Sequence, residues 1–153
     1  MKALNLPEYQ FRLRKNEAGK TEIFDPIRKR FYVLTPEEWV RQNFMQYLIQ
    51  EKNFPAGLMA VEKGLKLHGA QKRADIVQYS KQGNPALIVE CKAPEVKITQ
   101  DTFDQAARYN LSLQVAYLII TNGMEHYACT VDFAKQEVRF LKEIPDFEQI
   151  NHG

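Results

Sequence analysis

Apolar and polar positions change period several times along the chain, and each change marks an element. Residues 9–15 alternate apolar and basic side chains, 16–20 form a glycine-containing turn, and 21–25 with 29–34 continue as strands around Pro26. This pattern predicts a small β-hairpin or meander. Thr35-Pro36-Glu37-Glu38 then opens a helix, with Thr35 as N-cap, Pro36 at the first position and Glu38 placed to close a capping box. The helix is expected to reach about Lys52, with Val40, Phe44, Tyr47 and Leu48 as its apolar stripe. Glu37 shares that face with Arg41 and points inward, whereas Glu38 lies off it.

Residues 58–67 read as a strand containing Glu62, 69–72 as a turn, and 74–79 as a second strand opened by Asp75. The near-continuous apolar run 86–91 suits a strand buried on both faces, and the Gln82-Gly83-Asn84-Pro85 turn can fold it antiparallel to its predecessor. Residues 99–113 are helical, with Phe103, Ala106, Ala107, Asn110 and Leu111 on one side and Gln105 and Tyr109 together on another. Periodicity alone does not turn Gln105 toward the core. A buried strand over 114–121 stops at Asn122-Gly123, and 125–131 with 137–141 make an antiparallel return before a loose tail from 146 to 153.

Length and composition narrow the function. A chain of 153 residues is one domain's worth, expected here as an N-terminal β extension (1–34), a core (35–145) and the tail. It carries no apolar run of membrane-span length and no secretory signal, so a cytoplasmic protein with no membrane partner is expected. Two cysteines without a CxxC or a Cys/His cluster argue against zinc and redox chemistry, and His68, His126 and His152 are scattered. The net charge of +2 hides an asymmetry: residues 1–34 hold eight Lys/Arg against four Asp/Glu, the remainder thirteen against fifteen. Arg12, Arg14, Arg28, Lys29 and Arg30 therefore form either a DNA-backbone patch or a solvated hairpin surface.

Chemistry enters where charge interrupts the apolar strand. Glu90 and Lys92 share one face of it while Cys91 points to the other, and the turn at 82–85 brings Asp75 toward them. Two carboxylates drawn together resist burial without a cation between them, and such oxygen ligands suit magnesium, with manganese as a substitute. A lysine alongside can orient a water or steady a phosphate oxygen, so the set fits metal-assisted phosphodiester hydrolysis. An edge-of-sheet salt bridge is the plain alternative.

Asp75, fourteen residues, then Glu-Cys-Lys resembles the PD-(D/E)XK nuclease signature, with Ala74 where the proline would stand. The predicted order helix, three strands, helix, strand is also that superfamily's core, an α/β restriction-endonuclease-like fold with a mixed sheet. Within it, LTPEEWVRQ, the glutamate of AVEKG, KRADIVQY, ALIVECKAP, DQAARYN and LIITNG resemble the N-terminal nuclease domain of type I restriction enzyme R subunits. That resemblance implies metal ligation by Asp75 and Glu90, helped by the backbone carbonyl of Cys91. It further implies a catalytic Lys92, an accessory acid at Glu37, a supporting Gln105–Tyr109 pair, and a strand glutamate at Glu62 with no assigned role. DNA is the implied substrate and separately encoded restriction or repair subunits are the implied partners; a homodimer would supply the two sites that cutting both strands needs. A translocase does not fit in this length, which leaves a free-standing nuclease, a partner subunit, or a module that binds DNA without cutting it.

Overall fold

The computed structural model describes residues 1–151, so His152 lies outside the described residues. Three short strands, β1 (Leu13–Lys15), β2 (Thr21–Asp25) and β3 (Arg30–Val33), pair antiparallel as a separate small sheet. Helix α1 (Pro36–Glu51) follows, its first turn capped by the Thr35 hydroxyl, which accepts from Glu38 N–H at 3.0 Å. Six strands then form one sheet in chain order: β4 (Met59–Leu67), β5 (Ala70–Tyr79), β6 (Pro85–Cys91), β7 (Tyr117–Thr121), β8 (His126–Asp132) and β9 (Glu137–Leu141). Only β6 and β7 run parallel, and helix α2 (Gln100–Leu113) makes the crossover between them, as a parallel pair requires.

The two helices cover opposite faces of the sheet. Val40, Phe44, Met45 and Leu48 of α1 pack on Val61, Ile76, Leu87, Val89 and Cys91, while Phe103, Ala107 and Leu113 of α2 pack on Ala74, Val77, Ile88 and Ile120. Strand β6 is thus buried on both sides, which is why it reads as an unbroken apolar run.

Helix α1 departs from the one-faced stripe expected of it. The small sheet and the N-terminal arm cover its outer side, so Glu38, Gln42 and Asn43 are buried as well, while Arg41 is buried on the stripe side against Glu62 and Asp75. The Trp39 indole donates to Lys2 O, and Asn5 N–H donates to Gly123 O. Gly123 sits at φ +84°, which is why the β7–β8 turn favours glycine, and a Cβ there would also displace a Leu4 methyl of the arm, 2.7 Å away. His126 belongs to the same clamp: its ring contacts the Thr121 hydroxyl and Asn5 O, and burial lowers its pKa.

The expected loose tail is instead a short helix, α3 (Phe147–Ile150), capped by Asp146. Phe147 and Ile150, one turn apart, are buried, and Phe147 meets Phe54 edge-on at 6.1 Å. Two apolar side chains on one helical face are enough to anchor the segment.

Candidate active site

The register of three adjacent strands lines up acidic residues. Val61 and Lys63 of β4 pair with Ile76 and Ala74 of β5, which sets Glu62 opposite Asp75. Ile76 pairs with Val89 of β6, so Asp75 and Glu90 occupy the next level, where the ladder ends. Here Cys91 N–H donates to the Asp75 carboxylate at 2.8 Å, a side-chain bond in place of a ladder bond. Glu62 holds φ at +54°, a left-handed backbone that a glutamate adopts only when its surroundings impose it.

The Glu62 carboxylate is held by Arg73 on one oxygen and on the other by Arg41, a residue to which the sequence alone assigns no role. Its guanidinium donates to Glu38 at 2.5 Å, Glu62 at 2.6 Å and Asp75 at 2.8 Å, with Glu37 at 3.5 Å. Burial alone would lower the Arg41 pKa, but the hydrogen bond to Asp75 and the charges of Glu38 and Asp75 outweigh it and raise the pKa further. The signal is present in outline: Arg41 is three and four residues from Glu38 and Glu37, on the face of the apolar stripe.

The helix-terminal glutamates exchange the parts expected of them. Glu38 does not turn back to close a capping box; it is buried, bonded to Arg28 at 2.9 Å and to Gln42 at 3.0 Å. Glu37, expected inward, leaves half its side chain exposed. The cause is the small sheet, which buries the side of α1 carrying Glu38. Glu37 still senses the site: partial burial and Asp75 raise its pKa, against the pull of Arg41 and Lys92.

Glu90 faces α2 and lines a cavity of about 180 Å³ with Lys72, Lys92, Thr102, Gln105, Ala106, Tyr109 and Ile120. Gln105 and Tyr109 are exposed on α2, in keeping with its periodicity, yet both reach this cavity. Lys72, a second residue missed from sequence, places its ammonium 3.5 Å from Glu90 Oε1 and 4.9 Å from the Tyr109 ring centre. Even so, Glu90 Oε1 is buried with no hydrogen-bond partner. Burial pushes the Glu90 pKa up to about 7; Lys72 opposes the rise and Asp75 adds to it. Among the described residues no three His, Cys, Asp or Glu side chains converge as a ready metal set. Carboxylate repulsion is answered here by side-chain cations, Arg41 at Asp75 and Lys72 at Glu90.

The raised Glu90 pKa has a measurable consequence in metal-free protein. Folding holds the proton more tightly than the unfolded chain, whose value is near 4.5 against about 7 when folded. Stability from this group is therefore complete below the lower value and is lost as pH rises through the upper one, by on the order of 3 kcal/mol. Glu90→Gln should flatten that slope in melts recorded with chelator across this window; an unchanged slope would assign it elsewhere.

The N-terminal basic residues divide. Arg28 is not free for a ligand: it bonds Asp25 at 2.6 Å and Glu38 at 2.9 Å, lies over the Tyr32 ring, and only 14% of its side chain is exposed. Fully buried Asp25, which also accepts from Gln42, explains this inward turn. Arg12, Arg14, Lys29 and Arg30 are exposed. Arg14 pairs with Glu22 and sits 3.9 Å from the Phe31 ring centre, and Arg12 covers Phe24.

A mixed sheet between two helices, with an acidic pair and a lysine at the ends of its central strands, is a restriction-endonuclease-like arrangement. Residues 36–145 match the family model for the type I restriction enzyme R protein N terminus (HSDR_N), and the chain belongs to that family. Among solved structures it is similar to a fragment of a putative HsdR subunit of a type I restriction enzyme from Vibrio vulnificus YJ016, at 21% identity and a TM-score of 0.55. The match covers 76% of this chain and 24% of that one, so the chain spans about a quarter of that relative's length. The curated proteins contain no match. Among the described residues no helix is long and apolar enough to cross a membrane.

Proposed function

We propose that this chain is a metal-dependent DNA endonuclease domain of the restriction type, with its site built on Asp75, Glu90 and Lys92. The observation that carries this is Glu90 Oε1, a buried carboxylate oxygen without a hydrogen-bond partner beside Asp75 and a cavity lined by two lysines. A divalent cation suits that atom, since it would satisfy the oxygen and draw the raised pKa down. Asp75 accepts one hydrogen bond on each oxygen and so keeps lone pairs for a ligand.

Asp75 and Glu90, with the Cys91 carbonyl, would hold Mg2+, or Mn2+ in its place. When bound, the ion would supply a nucleophilic water of lowered pKa and neutralise phosphate charge. Lys92 would orient that water or steady charge on the phosphate, and Gln105 with Tyr109 would border the same cavity. Glu37, half exposed and with its pKa raised by partial burial and Asp75, is the accessory acid. Exposed Arg12, Arg14, Lys29 and Arg30 would track the DNA backbone, and separately encoded restriction subunits are the partners the family suggests.

A second proposal, a module that binds DNA without cutting it, is favoured by the pairing of both carboxylates with side-chain cations. Incubating the pure protein with plasmid, linear, single-stranded and branched DNA in Mg2+ or Mn2+, with Asp75→Ala alongside, separates them. Cleavage that needs the ion and vanishes in Asp75→Ala is expected; binding without cleavage supports the module. Neutralising Arg12 and Arg14 should weaken binding and flatten its salt dependence roughly in proportion to the phosphates no longer neutralised, and an unchanged slope would make them a solvated face.

A further inference from the structure

The two candidate metal ligands have cations of different character. Arg41 cannot leave Asp75 easily, because the same guanidinium is fixed by Glu38 and Glu62 and only 6% of its side chain is exposed. Lys72 is held loosely. Its ammonium stands at 3.5 Å, long for a charged hydrogen bond, 26% of the side chain is exposed, and the Tyr109 ring offers it a second partner in the same cavity. A flexible four-carbon stem lets the ammonium move between partners without moving the strand.

Building on the nuclease function proposed above, we infer that Lys72 is a phosphate-binding residue that changes partner. It is the counter-ion of Glu90 in metal-free protein and binds a phosphodiester oxygen once Glu90 is committed to a divalent cation. Electrostatics drives the exchange. An ammonium and a divalent ion on one carboxylate repel each other, so Lys72 must withdraw. Tyr109 keeps the withdrawn ammonium inside the cavity by a cation–π contact instead of releasing it to solvent. There it joins Lys92, Gln105 and Thr102 around a space lined by a single carboxylate, Glu90. With that carboxylate neutralised, two ammonium groups face the cavity, and the complementary ligand is an anionic phosphate oxygen.

The test is linkage between ion and DNA, read as binding. Affinity for a short fluorescent DNA duplex is measured by anisotropy in chelator and then in Ca2+, an oxygen-seeking ion used in place of Mg2+, for the full chain and its variants. In chelator Lys72→Met should match the unaltered protein, because Lys72 is then occupied by Glu90. In Ca2+ it should forfeit about tenfold of the affinity gain, the scale of one hydrogen bond to a charged group, and Lys72→Arg should restore most of it. Should Lys72→Met fail to fold, Tyr109→Ala at its exposed helical position carries the same test, with a loss of roughly two- to fivefold confined to Ca2+. Equal gains in variant and unaltered protein, or an equal deficit with and without the ion, would overturn the exchange while leaving the nuclease function standing. If the unaltered protein takes up no divalent ion by calorimetry and gains no DNA affinity from it, the metal-dependent function is refuted and the exchange with it.

Discussion

Lys92→Ala should fold normally, keep most of its metal and DNA affinity, and lose cleavage by about a hundredfold or more, the scale of one transition-state group. A structural role for Lys92 would predict something else. Were it the partner of buried Glu90, removing it would strand a carboxylate, lower the melting temperature and disturb metal binding. The geometry separates these outcomes in advance, because the ammonium in ion-pair contact with Glu90 belongs to Lys72, and among the described residues Lys92 makes no ion pair. Its main chain is fixed independently, by donation from Lys92 N–H to Thr121 O at 2.8 Å. The side chain is thus spare for chemistry while the backbone is locked, which is what a group that must meet a transition state needs. Melting, metal titration and single-turnover cleavage on the one variant decide the matter: a destabilised protein that cleaves at the normal rate once folded would refute the assignment.

Arg41→Met should be the most damaging substitution to stability outside the apolar core. It would leave Glu38 and Asp75, with 7% and 13% side-chain exposure, without their shared cation. Glu38 keeps Arg28, but Asp75 has no second cation in ion-pair contact among the described residues, and breaking a buried ionic cluster from one side in this way costs about 3–5 kcal/mol. For a domain of this size that corresponds to a melting temperature lower by about 10 °C. Orphaned buried carboxylates have raised pKa values, so the defect should shrink in acid, where they can take up protons, and be largest near neutrality. A melting shift below about 2 °C, or one independent of pH, would mean that Arg41 merely bridges groups that water can satisfy as well.

The frame of the fold and the core of the candidate site were legible because each left a local mark. Alternation located the strands, Thr35-Pro36 located the start of α1, and Asp75, Glu90 and Lys92 stood out as charges in apolar strands. What could not be read depends on partners distant in sequence. Glu37 and Glu38 were exchanged because a single stripe assumes one buried side of α1, and nothing near residue 38 announces that the small sheet covers the other. Arg28 looked like a surface charge until Asp25 and Glu38 converged on it. Arg41 lies on a stripe where an arginine reads as a pair on a helix surface, and only the pairing of β4 with β5 supplies Glu62 and Asp75. Lys72 shares strand parity with Ala74, but its meaning appears only once α2 lies across the sheet. Gln105 shows the limit from the other side: periodicity does not turn it toward the core, and only the family resemblance points it at the cavity it lines.

The lone parallel junction between β6 and β7 makes the constellation a property of the completed topology. Strands β4 to β6 form one set of successive hairpins and β7 to β9 another, each built from contacts close in sequence. The first set contains Asp75 and Glu90, yet Lys92 N–H is tied to Thr121 O of the second, and half of the residues that line the cavity come from α2. Neither half can hold the site alone. A fragment cut before the crossover would present the acidic pair without its lysine in place, so the proposed site depends on the junction between the two sets of strands.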